Sequence, residues 1–136
     1  MTGLRTRHEG GSMSVEVVLL MPILVMFTLL VVAGGRYVSV RGDIEAAARD
    51  AARAASFERT YEAANASASA VAQSALGGFS DCTVQDLGGD FRAGGRVDVT
   101  LTCTVSGRGL GLIGLGRPWS VEGSGSAPLD TYRRTG

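Results

Sequence analysis

Val17-Val18-Leu19-Leu20-Met21-Pro22-Ile23-Leu24-Val25-Met26-Phe27-Thr28-Leu29-Leu30-Val31-Val32-Ala33-Gly34-Gly35 is a run of 19 residues without a charge, bounded by Glu16 and Arg36. As a helix it would be about 28 Å long, close to the hydrocarbon thickness of a bilayer. A core helix of a soluble protein is the competing reading, but such a helix keeps a polar stripe and this run has none. The expectation is therefore one transmembrane helix, residues 12–35. Pro22, one turn into the run, is expected to kink it, which a membrane helix tolerates better than a soluble one. A secretory signal cut near Val31-Val32-Ala33 is a second reading, set against the length of the run and the carboxylate at its start.

Outward from this run, the rest of the chain bounds what the protein can be. Its 136 residues leave room for one further small domain. All 13 basic residues are Arg and are balanced by 13 acidic ones, so no net charge points to nucleic acid. Arg5, Arg7 and His8 precede the run, and Arg36, Arg41, Arg49 and Arg53 follow it with Asp43, Glu45 and Asp50 among them. The positive-inside rule leaves orientation open on these residues. Cys82 and Cys103 both lie beyond the run. Two thiols in an anchored outer domain read as one disulfide, which favours an extracytoplasmic C-terminal part; a loop of about 20 residues closed this way gains roughly 3 kcal/mol. Two cysteines and one distant His cannot complete a tetrahedral metal shell. No nucleophile–base set or carboxylate pair on a rigid scaffold is evident, so we expect no enzyme, no catalytic residue, no cofactor, no metal and no small-molecule substrate.

Between the run and the cysteines, Ala dominates. Glu45-Ala46-Ala47-Ala48-Arg49-Asp50-Ala51-Ala52-Arg53-Ala54-Ala55 suits a helix, with Glu45–Arg49 and Asp50–Arg53 as expected side-chain pairs. The first helix is expected to continue to about Ala55, with Gly42 as a weak point. Its small residues suit packing on the chain's own domain and close approach of neighbouring helices, two uses that do not exclude each other. Ser56 to Thr60 reads as a break and Tyr61 to Leu76 as a second helix ended by Gly77-Gly78. Then the period changes to two. In Arg96 to Ser106, Val97, Val99, Leu101, Cys103 and Val105 alternate with polar residues, the strongest strand signal in the chain. Asp81 to Leu87 and Trp119 to Ser124 are weaker strands. The expected fold class is α+β: a long N-terminal helix, a second helix and a three-stranded antiparallel sheet with its apolar face covered by helix, Trp119 in the core, and Cys82–Cys103 joining the first two strands. Gly107 to Gly116 is apolar and Gly-rich, read either as a loop over the sheet edge or as an exposed patch; its G-x-G spacing lacks the strand–helix context of a nucleotide site.

Glu16 is the residue that turns an anchor into something more specific. A Glu at the start of an apolar helix is favoured by the macrodipole. If the chain is cut after Gly11, Ser12 becomes the mature N-terminus with its amine one turn from the Glu16 carboxylate, a pair able to set the register of packed helices. Gly11-Ser12-Met13-Ser14-Val15-Glu16 followed by the apolar run resembles the cleavage region of type IV pilins and pseudopilins. With Pro22 and the Ala/Arg-rich stretch, the chain resembles more narrowly the TadE-like minor pseudopilins of tight-adherence (Tad/Flp) pilus systems. It departs from them at Val17, where many members carry an aromatic residue. The resemblance implies a leader at 1–11 cut between Gly11 and Ser12 by a prepilin peptidase, and an assembly role for Glu16 and Pro22. Its implied partners are the membrane, other pilin-like subunits and an inner-membrane assembly platform. The implied organisation is a transmembrane helix at 12–35, a stalk and second helix at 36–76, and a disulfide-bonded β-rich domain at 77–136. The implied place is the cell membrane, single-pass, or an extracellular pilus. A signal-anchored envelope scaffold without a pilus role is the alternative.

Overall fold

The helix α1 spans Gly10–Phe57 with Pro22 inside it. It belongs to a computed structural model that describes residues 10–77, 81–105 and 117–132. The chain divides into two units, residues 1–38 and residues 39–136. In the first, the apolar side chains from Val15 to Val32 face outward on every side of the helix. The hydroxyl of Thr28 donates to the Leu24 carbonyl at 2.8 Å, which leaves that polar group satisfied within the helix.

The second unit is built on alanine. Helix α1 runs unbroken through Gly42 and ends where Ser56 Oγ donates to the Arg53 carbonyl and the Glu58 amide to that of Ala55, satisfying two terminal carbonyls. Thr60, in extended conformation, then caps α2 (Tyr61–Leu76), its hydroxyl accepting from the Ala63 amide at 3.3 Å. Both helix boundaries fall within two residues of expectation. The buried residues of α2 are Ala64, Ala68, Ala72 and Leu76, a four-residue spacing that puts them on one face.

Three strands follow: β1 (Cys82–Asp90), β2 (Arg96–Val105) and β3 (Trp119–Pro128), antiparallel in the order β1-β2-β3. The fold is α+β as expected, and β1 and β3 each run three to four residues further than their apolar pattern signalled. Strand β1 carries an irregularity at Gln85, between the pairs Val84↔Leu101 and Asp86↔Thr100. Gly89 sits at φ +100, where an added Cβ would strike the Arg96 carbonyl, so the end of β1 requires glycine. Beyond β3, the Leu129 amide donates to the Gly95 carbonyl and ties the chain to the β1–β2 turn.

The core lies on one face of the sheet. Val97, Val99, Leu101 and Cys103 of β2 are fully buried, joined by Val121 and Ala127 of β3, Leu87 of β1, Ile44, and the alanines of both helices. Trp119 packs at the core margin, half-buried, with its indole N–H without a partner among the described residues. Alanines 47, 48, 51, 52 and 55 are at most 2% exposed. Of the two uses open to the small residues of α1, packing on the chain's own domain is the one the structure shows. The stretch from Gly107 to Gly116 lies outside the described residues.

Candidate functional site: the apolar N-terminal helix

Fifteen large apolar residues between Val15 and Val32 are 47–73% exposed. Each leaves on the order of 1 kcal/mol or more of burial unrealised, so the total is roughly 20 kcal/mol. That exceeds the whole stability of an ordinary domain, about 5–15 kcal/mol. Such a surface requires lipid or other apolar helices around it, and the helix is long and apolar enough to cross a membrane once.

The residues singled out from the sequence sit along this helix. Gly11 and Ser12 lie in the first turn of α1, which begins at Gly10. The first four amides of a helix lack intrahelical partners, so this is the turn that opens most readily. Glu16 follows about one turn later and is exposed, at the edge of the uncharged run. Pro22 is helical; having no N–H, it leaves the Val18 carbonyl without its usual donor. Gly34 and Gly35 close the run, and an added Cβ at either would meet nothing within 4 Å.

In the second unit, Cys82 and Cys103 stand opposite each other in the β1–β2 register and are disulfide-bonded across a sequence separation of 21. Two side-chain pairings differ from expectation. Glu45 bonds Arg41 at 3.1 Å rather than Arg49, and Asp50 forms no ion pair with Arg53. Glu45 has an arginine one turn away on either side, and Arg49 lies instead along a groove beside β3. Among the described residues neither Arg49 nor Arg53 has a carboxylate partner. The sequence held no signal for that groove, because it needs the placement of β3 against α1. At the β1–β2 turn Arg92 makes a two-pronged bond to Asp90, both at 2.6 Å, and this hydrogen bond holds the Asp90 carboxyl below its ordinary value. Among the described residues no three His, Cys, Asp or Glu converge as a metal site would require.

Among the described residues, one apolar helix near the N-terminus and a small disulfide-bonded α+β unit fit a pilin-like membrane protein. Residues 11–53 match the family model of TadE-like proteins. The matched stretch contains Gly11, Ser12, Glu16 and Pro22 and ends within the Ala/Arg-rich half of α1; the sheet lies beyond it. No curated protein and no solved structure matches the chain.

Proposed function

We propose that the chain is a minor pseudopilin of TadE type that takes part in assembling, priming or tethering a Tad/Flp-type pilus through its N-terminal helix. The observation that carries this is the helix itself: apolar on all faces, and matching the TadE-like family model from residue 11. A lipid bilayer and a bundle of similar helices are equally suitable surroundings for it, and an assembling pilin passes from one to the other. In this reading a prepilin peptidase cuts between Gly11 and Ser12, and the Glu16 carboxylate pairs with the new amine of its own chain or a neighbour. Other pilin-like subunits and the membrane assembly platform are the partners. The Cys82–Cys103 bond supports an extracytoplasmic domain, since such bonds persist in oxidising compartments. The role is structural, not catalytic.

The mature N-terminus tests it. Mass spectrometry of the protein purified from cells with an active prepilin peptidase is expected to find Ser12; Met1 or Thr2 indicates an uncut envelope scaffold, and Gly34 a released domain. Glu16→Ala is expected to leave membrane insertion intact and to reduce co-purification with pilin-like subunits. Undiminished association would reduce Glu16 to an interfacial charge.

A further inference from the structure

The two cysteines of the disulfide do not share an environment. Cys103 stands on the central strand β2 and is fully buried, with Leu101 and Val105 as its core-facing neighbours along the strand. Cys82 is the first residue of the outer strand β1 and is only partly buried. Beside it, the C-terminal half of α2 and the start of β1 border two grooves. One, of about 400 Å³, is lined by Leu76 and Asp81 among others, and the second, of about 220 Å³, by Ser69 and Val84. Gln73, Cys82 and Thr83 line both, and Cys103 lines neither.

We propose that Cys82 is the sulfur through which this disulfide is made and exchanged, reached from the α2–β1 grooves, while Cys103 acts only as the partner thiol inside the molecule. Geometry is the first argument. A thiolate attacks one sulfur of a disulfide in line with the bond, and the other sulfur leaves. The Cys82–Cys103 bond crosses from β1 to β2, and on the far side of Cys103 its register partner on β3 is Val121, 5% exposed. Approach to the Cys103 sulfur therefore runs through packed core. Approach to the Cys82 sulfur comes from the outer side of β1, where the grooves lie.

Charge is the second argument. In forming the bond, the Cys82 thiolate attacks the disulfide of an oxidant, giving a mixed disulfide and releasing one thiol of the oxidant. Cys103 then loses its proton and attacks the Cys82 sulfur, releasing the second. Two electrons and two protons pass from the cysteine pair to the oxidant's disulfide, which leaves as a dithiol or two thiols. The first nucleophile has to present a thiolate where the oxidant can reach it. Among the described residues the core around Cys103 contains no buried polar or charged side chain, and an unpaired charge in such surroundings is costly. Cys103 is thus unsuited to the first attack and slow as a leaving group in the folded protein. The partner is defined by its chemistry: a disulfide or thiolate whose sulfur can enter the groove beside Cys82.

The inference needs the disulfide alone and stands apart from cleavage, anchoring and a pilus. Full-length Cys103→Ala and Cys82→Ala chains in detergent, each shown folded by circular dichroism, are mixed with cystamine, and the mixed disulfide is followed by mass after acid quench. Cys82 in the first is expected to react at least about tenfold faster than Cys103 in the second, and the two to react alike in denaturant. Gln73→Glu added to Cys103→Ala sets a carboxylate in both grooves. It is expected to speed the cationic cystamine and to slow anionic oxidised glutathione, each about threefold at low salt. In the unsubstituted protein, where no variant can misfold, cysteamine followed by acid quench and peptide mapping is expected to place the adduct on Cys82. Equal native rates, a faster Cys103, an adduct on Cys103, or a Gln73→Glu effect that is the same for both reagents overturns the inference.

Discussion

Gly125→Ala is the sharpest test of how the domain is held together. An added Cβ there would sit 2.5 Å from the Ala48 carbonyl carbon, 2.6 Å from its oxygen, and against the Arg49 amide nitrogen. All three are backbone atoms of α1, so no rotamer change relieves the clash. The helix must retreat from β3 by about 1 Å to restore ordinary contact, and a gap of that size forfeits a quarter to a half of each dispersion contact along the alanine face. Overpacking of this kind costs about 1–3 kcal/mol. Replacing a strand glycine returns about 0.5–1 kcal/mol through the unfolded chain. The net expectation is a loss of about 1 kcal/mol, lowering Tm by roughly 4–8 °C for a unit of this size. Thermal unfolding in detergent, followed by circular dichroism and by Trp119 fluorescence, measures it. Ala48→Gly added to Gly125→Ala is expected not to rescue, because the clash is with backbone and not with the Ala48 methyl. A change under about 0.5 kcal/mol, or rescue by Ala48→Gly, would refute the close backbone approach.

Gly42→Ala should move stability the other way: it is helical with open space around its Cα, so a gain of about 0.5–1 kcal/mol is expected in the same melt. Replacing both Cys82 and Cys103 by Ala is expected to cost roughly 3 kcal/mol in a denaturant titration, with the native fold retained in the absence of denaturant. Thr60→Ala removes the cap of α2 and is expected to cost about 1 kcal/mol. The Asp90 carboxyl should titrate below 3.8 by NMR and move back up in Arg92→Gln. Because the folded value is depressed, the stabilisation is present above the unfolded value and lost as pH falls through the folded one; at this exposed turn the effect on unfolding should be small.

What was legible in the sequence was whatever rests on local pattern. The uncharged run of 19 residues is a property of composition and length, and so is its unsuitability for water. The bounds of α2 were readable from Thr60 and Gly77, because capping is a matter of one or two backbone groups. Strand β2 was readable because its two faces meet different surroundings, and Cys82 with Cys103 because they were the sole thiols. Gly11, Ser12, Glu16 and Pro22 were singled out on local spacing, and they fall within the residues that match the TadE-like model. The second half of β3 was not: Glu122-Gly123-Ser124-Gly125-Ser126 has weak strand propensity and no apolar alternation. It is a strand because β2 pairs with it and because only glycine lets the α1 backbone lie so close. Both uses of the alanine stretch were compatible with its composition, and burial against the sheet shows the packing on its own domain. Arg49 and Arg53 looked paired along their helix, and became available only when β3 took its place beside them. Local propensity and solvent preference are encoded residue by residue, whereas close approach of backbones and the making of a groove depend on two distant segments arriving together.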